Sequence, residues 1–189
     1  IDWNKGVMHV SPAEHGRVPS WLGLPGVLSA PLCQAMKEVL LQVGSEVQWL
    51  TRGAALELEA LRAGYAPVLE QGGAPFEETN DGVQWHTFAG GAVNRLLAAG
   101  LEQLTHQRWQ PGNLSLKCKA TNLGNPLQLV RELHHLNWES IAVEAAKSMA
   151  RGPLTKFQPC LPAEAESQLM VERLLDVEGT RAFLGASFS

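Results

Sequence analysis

The chain has 189 residues, 45% of them hydrophobic and 18% charged, which is the balance of an ordinary globular protein. Its 15 basic and 19 acidic residues give a net charge of −4, which excludes a uniformly basic nucleic-acid coat and a disordered polyelectrolyte. No apolar run approaches the roughly 20 residues that a membrane-spanning helix needs, so we expect no membrane partner. The sequence opens on Ile1 without an initiator methionine or a signal peptide, and we expect an excised domain.

The first predicted elements are a short strand or strand pair and a helix. Residues 7–10 are partly β-branched and are followed by a Ser-Pro pair, whereas residues 17–26 hold two prolines and two glycines and form a connection. Ser29 as N-cap and Gly44 as a stop residue bound a helix over residues 29–43.

A second helix begins at Thr51, and we expect it to end at Gly64. Residues 70–82 hold three glycines, one proline and four acidic residues, so they form a surface loop or a hairpin turn, with the turn at Asn-Asp-Gly over residues 80–82. Residues 83–88 then alternate with period two and predict a strand.

The second half of the chain is mainly helical. An apolar stripe predicts a helix over residues 92–104, and the alternation in residues 114–120 predicts a strand from which Lys117 and Lys119 project together. Further helices are predicted over residues 125–136, 138–150, 162–175 and 178–184. The pattern indicates one α+β domain over residues 1–189, strand-rich over about 1–25 and 83–120 and mainly helical over 125–185.

Catalytic and cofactor motifs are missing from the sequence. GxxxxGK[ST], GxGxxG, GxSxG and HExxH do not occur, so we expect no catalytic residue, no metal and no cofactor in this chain. The pair His134-His135 is a poor metal site because neighbours on a helix diverge by about 100°. A solvated helix face and a nucleic-acid contact both remain open for these histidines. Cys33, Cys118 and Cys160 are odd in number and widely spaced, which favours a reduced cytoplasmic setting, and we expect this to be a bacterial cytoplasm.

The most informative stretch is residues 85–95, where a strand ends in a small-residue turn and leads into a helix. Free N–H groups at a helix start can meet a phosphate, and Gly90 and Gly91 permit close backbone approach. Thr87, Asn94 and Arg95 add polar donors. Tight packing at a strand-to-helix corner is the alternative reading of the same glycines.

The run WHTFAGGAVNRLLAAGL over residues 85–101 resembles a signature in the post-ATPase region of large helicase-related (Lhr-like) DEAD/DEAH-box helicases. Thr87, Gly90 and Asn94 match this signature, while Phe88 stands where the family usually has Trp. The flanking runs PSWLGLPGVLSAPLCQAMKEVL and FQPCLPAEAESQLMVERLLDVEGTRAFL resemble the family's preceding W-x-G segment with its helix and its terminal segment, in the same order.

The resemblance implies the non-catalytic C-terminal accessory domain of an ATP-dependent superfamily 2 helicase. Its fold would be a curved antiparallel sheet with packed helices, similar to type III secretion chaperones. Its partners would be the translocating single strand and the RecA-like motor and winged-helix domains of the same parent chain. ATP and Mg would belong to the motor and not to this domain.

Charge partition gives a candidate interface for nucleic acid. Residues 81–160 carry a net charge of +3, whereas residues 1–80 and 161–189 are both acidic. Lys117, Lys119, Arg95 and Arg108 are the bases expected to form a phosphate-facing patch, although scattered solvated bases fit the same counts. Together with the 85–95 stretch and Trp109, the candidate nucleic-acid-binding residues are Thr87, Gly90, Gly91, Asn94, Arg95, Arg108, Trp109, Lys117 and Lys119.

The six tryptophans are either core fillers or exposed stacking platforms. Trp85 alternates with polar neighbours and is expected in the core, and Trp138, after Asn137, is expected to anchor a helix start. Trp109 precedes Pro-Gly and is expected in a loop, where it could stack on a base. A protein-interaction module that docks on the motor domains or on a partner is the competing function.

Overall fold

The computed structural model describes residues 26–41, 49–72, 75–120, 123–149 and 158–187. Those ranges contain seven α-helices, four β-strands and a short 3-10 turn, so the fold is α+β. In chain order the elements are α1 Ala30–Leu41, α2 Arg52–Leu69, β1 Phe76–Thr79, β2 Gly82–His86, α3 Gly91–Thr105, β3 Trp109–Pro111, β4 Ser115–Cys118, α4 Pro126–Leu133, α5 Trp138–Ser148, the 3-10 turn Gln158–Cys160, α6 Ala163–Leu174 and α7 Val177–Ser187. The strand expected near residues 7–10 lies outside the described residues.

The four strands form one antiparallel sheet in the order β1-β2-β4-β3. Thr79 pairs with Gly82, so the two residues between them form the hairpin loop, and the turn predicted at Asn-Asp-Gly is confirmed. Residues of β2, β4 and β3 stand side by side in two rows, Val83 with Cys118 and Trp109, and Gln84 with Lys117 and Gln110. Because neighbours along a strand face opposite sides, the first row lies on the inner face and the second on the outer face.

The core lies between the inner face of the sheet and α3, which also contacts α4, α5, α6 and α7. The apolar stripe predicted for α3 is confirmed, since Leu96, Leu97 and Leu101 are fully buried. Trp85 is fully buried as predicted, and its ring stacks on Phe76 at 5.0 Å between centroids. Membrane crossing needs a longer and more apolar helix than any in the described part of the chain.

Trp138 is the packing anchor that the sequence predicts, because it is buried at the first position of α5, where the Asn137 side chain caps the helix. Its ring packs against α3 at Gly100, where an added Cβ would come within 2.7 Å of the ring. A rigid aromatic ring in a filled core has little room to move aside.

We therefore expect Gly100→Ala to lower the free energy of unfolding by about 1–3 kcal/mol, even though alanine is the better helix former. Urea denaturation followed by tryptophan fluorescence measures this change. Gly185→Ala in α7 is the matched control, because an added Cβ there meets nothing within 4 Å. Equal stability of the two variants would contradict close packing between α3 and α5.

Two predicted boundaries are placed differently in the structure. The helix opened by Thr51 continues past Gly64 to Leu69 and includes Pro67, so the predicted stop is wrong. A glycine inside a helix lowers its stability but does not end it where the neighbours favour helix. The strand predicted to reach Phe88 ends at His86, because Phe88 adopts a positive φ of 51° at the corner before α3.

The outer face of the sheet is covered at one end and open at the other. His86 and Phe88 are buried there because the ring of Tyr65 in α2 packs edge-on against both, with centroid distances of 5.8 and 5.9 Å. Glu77 lies beside His86, with Oε2 at 2.8 Å from Nε2. Farther along the same face, Lys117 and Gln110 are exposed and Gln84 is half-buried, and this open end holds the candidate site.

Candidate nucleic-acid interface

The glycines of the strand-to-helix corner contact protein backbone. The Gly90 N–H donates to the Asn113 carbonyl at 3.1 Å, and the Gly91 N–H donates to the Leu28 carbonyl at 3.0 Å. Both glycines are buried. The corner is therefore filled by the segment before α1 and by the β3–β4 turn, which corrects the expectation that its N–H groups face a phosphate.

Thr87 and Asn94 form a buried network with the same turn. The Thr87 hydroxyl donates to Asn94 Oδ1 at 2.6 Å, and Asn94 Nδ2 donates to the carbonyls of Gly112 and Asn113 at 2.8 and 3.2 Å. Thr87 and Asn94 are 2% and 0% exposed. Their polar groups form hydrogen bonds inside the protein. Thr87 and Asn94, which were predicted to contact nucleic acid, therefore pack the corner as the two glycines do.

Asn113 continues this network and was not predicted from the sequence. Its side chain accepts from the Leu28 N–H at 3.0 Å and donates to the Gly26 carbonyl at 3.1 Å. One amide thus connects the β3–β4 turn with the segment that leads into α1. Cys33 of α1 packs on this corner as well; burial raises the pKa of its thiol, and a hydrogen bond with the Gly90 backbone partly opposes that change.

Arg95 is half-buried on α3, and burial lowers the pKa of its guanidinium. Its Nη1 is enclosed without a hydrogen-bond partner. It does not line the open end of the outer face with the other predicted bases. The structure therefore separates Arg95 from Arg108, Lys117 and Lys119.

Trp109 lies at the start of β3, so the loop predicted for it is wrong. The residue is 2% exposed and belongs to the core, and its indole N–H donates to the Thr105 hydroxyl at 3.2 Å. Glu102 accepts from its backbone N–H at 2.9 Å. Its ring is consequently closed to base stacking. The nearby Pro-Gly pair, which suggested a loop, instead ends this short strand and begins the turn to β4.

The remaining three predicted bases lie together in one groove of about 540 Å³ at the open end of the outer face. The β1–β2 turn and the connection from α3 to β3 form its walls, and β2 and β4 form its floor. We call it the sheet groove, and its described lining residues are Thr79, Asp81, Val83, Gln84, Gln107, Arg108, Gln110, Lys117, Cys118, Lys119 and Ala120.

Strand geometry explains why the bases meet in the sheet groove. Lys117 lies on the outer face of β4, and Lys119 follows just after the end of that strand, about 7 Å farther along the chain. Leu116 and Cys118 point the other way and are buried, as the alternation predicts. Gly82 holds the β1–β2 turn against this strand, since an added Cβ there would lie 2.7 Å from the Lys119 Cα.

The sheet groove is positive. Arg108, Lys117 and Lys119 are exposed, and none of them forms a salt bridge with a carboxylate in the described ranges. Asp81 is the one acidic side chain among the described lining residues. The balance of three cations to one anion in a concave polar surface suits a ligand with several negative charges.

Gln84, Gln107 and Gln110 also line the groove, and the sequence analysis did not identify them. Gln84 Nε2 donates to the Ser115 hydroxyl at 3.0 Å, which fixes its orientation on the floor. The missing information was the pairing register, because Gln84 and Gln110 reach the site only by standing on either side of Lys117.

Comparisons with models of protein families, with curated proteins and with solved structures find nothing that matches this chain.

Proposed function

We propose that this chain is a non-catalytic C-terminal accessory domain of an ATP-dependent superfamily 2 helicase, in which the sheet groove contacts the translocating single strand. The sheet groove is the observation that carries the proposal, because it gathers on one concave face three basic side chains that form no salt bridge with the described residues. The resemblance of residues 85–101 to Lhr-like helicases supplies the helicase context. In that context the sheet and its helices are the counterpart of a type III secretion chaperone-like domain.

The proposal uses charge and not a catalytic group. Each phosphate that a basic side chain neutralises releases counterions, and for a single strand the slope of log K against log salt is about −0.7 per contact. Three basic side chains therefore give a slope of about −2. Such binding is weak for the domain alone and gains strength when the motor domains hold the same strand.

Replacing the three bases together tests the proposal. We expect Arg108→Gln, Lys117→Gln and Lys119→Gln in one variant to weaken binding of a labelled single-stranded oligonucleotide about tenfold or more at low salt, because its phosphate contacts are lost. Fluorescence anisotropy at 20–200 mM salt measures both the affinity and the salt slope, which should fall from about −2 towards zero.

The matched control carries the same change of net charge away from the sheet groove, as Arg131→Gln, Lys147→Gln and Arg173→Gln. All three residues are exposed on helices outside the groove lining. This control should bind nearly as tightly as the unchanged protein. Equal losses in both variants would mean that net charge alone governs binding, and no binding by the folded unchanged protein at low salt would refute the proposal.

A protein-interaction module is the second candidate, and a different surface favours it. Leu32, Met36 and Val39 follow one another at helical spacing on α1 and are 48%, 38% and 39% exposed, and Leu56 and Leu61 of α2 are exposed as well. Basic residues interrupt this surface, since Lys37 lies on the same helix and Arg62 donates to the Val39 carbonyl at 2.8 Å. An unchanged affinity of the groove variant would favour this surface and its docking role.

A further inference from the structure

Building on the proposed function, we infer that the sheet groove holds the sugar–phosphate backbone of the single strand and leaves its bases in solvent, so that binding is independent of the bases. The ligand that this chemistry recognises is a flexible chain of phosphodiesters, with or without bases. The inference comes from what lines the groove and from where the nearby aromatic rings point.

The described residues of the groove offer no ring on which a nucleobase could stack. Among its described lining residues none is aromatic. Trp109 is adjacent in sequence to Arg108, yet its ring is buried in the core on the opposite face of the sheet. Phe76 and Trp85 stack on each other on that same inner face. Proteins that bind single strands usually combine a positive groove with exposed aromatic rings, and the described lining of this groove supplies only the first of these two components.

What the groove does offer is a row of N–H donors. Gln84, Lys117 and Gln110 stand side by side across three strands, about 4.8 Å apart. Lys119 lines the same groove just after the end of β4. Ammonium and amide N–H groups at such spacing suit phosphate oxygens, which only accept hydrogen bonds. Arg108 adds a planar donor at the groove wall, and guanidinium groups bind phosphate in a bidentate manner.

Asp81 places a negative charge at one end of the sheet groove. Its exposed carboxylate lies at the tip of the β1–β2 hairpin, on the groove wall opposite the α3–β3 connection. A carboxylate repels phosphate, so it opposes passage of the backbone at that tip. Removing this charge while keeping the side-chain shape should therefore tighten binding of the backbone.

Competition between strands with and without bases tests the inference. The whole chain is bound to a labelled oligothymidylate at low salt, and unlabelled oligothymidylate, oligoadenylate or a fully abasic strand of equal length displaces it. We expect all three competitors to act at concentrations within about threefold of one another, since they carry the same phosphates. Asp81→Asn should lower the dissociation constant of the abasic strand about threefold, and Asn80→Gln at the same turn should leave it unchanged.

Two results would overturn the inference. An abasic strand that competes thirtyfold or more worse than oligothymidylate would show that bases carry the binding, and the proposed function would stand without this mode. An Asp81→Asn variant that binds the abasic strand no tighter than the unchanged protein would show that the backbone does not lie along this wall. Failure of the labelled oligothymidylate itself to bind would instead reject the proposed function.

Discussion

Gly90→Ala is expected to lower the free energy of unfolding by about 3 kcal/mol or more, because two costs coincide at this residue. Gly90 adopts φ 87° and ψ 161°, a conformation that essentially only glycine occupies. An added Cβ would also lie 2.7 Å from the Ala30 nitrogen and 2.9 Å from the Leu28 oxygen. Both contacts are backbone atoms, which cannot turn away as a flexible side chain can.

Urea denaturation of Gly90→Ala beside Gly64→Ala measures this effect. Gly64 lies inside α2 with nothing within 4 Å of an added Cβ, so its replacement should stabilise the protein by about 0.5–1 kcal/mol. The same chemical change is thus expected to act in opposite directions at the two positions. A Gly90→Ala variant as stable as the unchanged protein would mean that the segment before α1 does not close on this corner.

Phosphate binding and packing both require glycine at a strand-to-helix corner, and the sequence cannot separate them. Both uses need close approach of another chain of atoms to the backbone. The structure decides in favour of packing because the approaching chain is residues 28–30 of the protein itself. Thr87, Gly90 and Asn94, on which the family resemblance is based, are therefore residues that determine the fold. Of the predicted nucleic-acid contacts, those that lie in the groove are Arg108, Lys117 and Lys119.

Local periodicity predicted α3 and the exposed lysines at the end of β4, Lys117 and Lys119, because each prediction depends on residues close in sequence. The apolar spacing of Leu96, Leu97 and Leu101 and the alternation around Leu116 are visible in the printed chain. What was not predicted depends on distant residues. Tyr65 buries the outer-face residues His86 and Phe88 from a helix more than one element away, and no alternation pattern contains that contact.

Trp109 shows the same limit at the site. A three-residue strand such as β3 is too short to produce a recognisable alternation. The Pro-Gly pair that begins at its last residue is a strong loop signal. Only the pairing with Cys118 turns its ring inward. The same register places Gln110 beside Lys117. It therefore turns the Trp109 ring away from the groove and brings the Gln110 amide into it.

Asn94 connects the interior to the sheet groove. Its amide holds the Gly112 and Asn113 carbonyls of the β3–β4 turn, and β4 carries Lys117. Asn94→Ala is expected to lower the free energy of unfolding by about 3 kcal/mol, because it leaves the two turn carbonyls and the buried Thr87 hydroxyl without their partner and opens a cavity. Urea denaturation gives this value, and Gln103→Ala on the exposed side of the same helix should change it by less than about 0.5 kcal/mol.

The Asn94 variant also tests whether the groove depends on its support. Asn94 is fully buried and does not line the groove. Any loss of oligonucleotide binding in a sample kept folded must therefore come from a change in the β3–β4 hairpin that Asn94 holds. We expect faster hydrogen exchange of the β3 and β4 amides and a several-fold weaker affinity, whereas the salt slope should remain near that of the unchanged protein because all three bases are present. Slow exchange with full affinity would show that pairing with β2 and β3 holds β4 in place without Asn94, and the network around Asn94 would then serve the corner before α3 and not the groove.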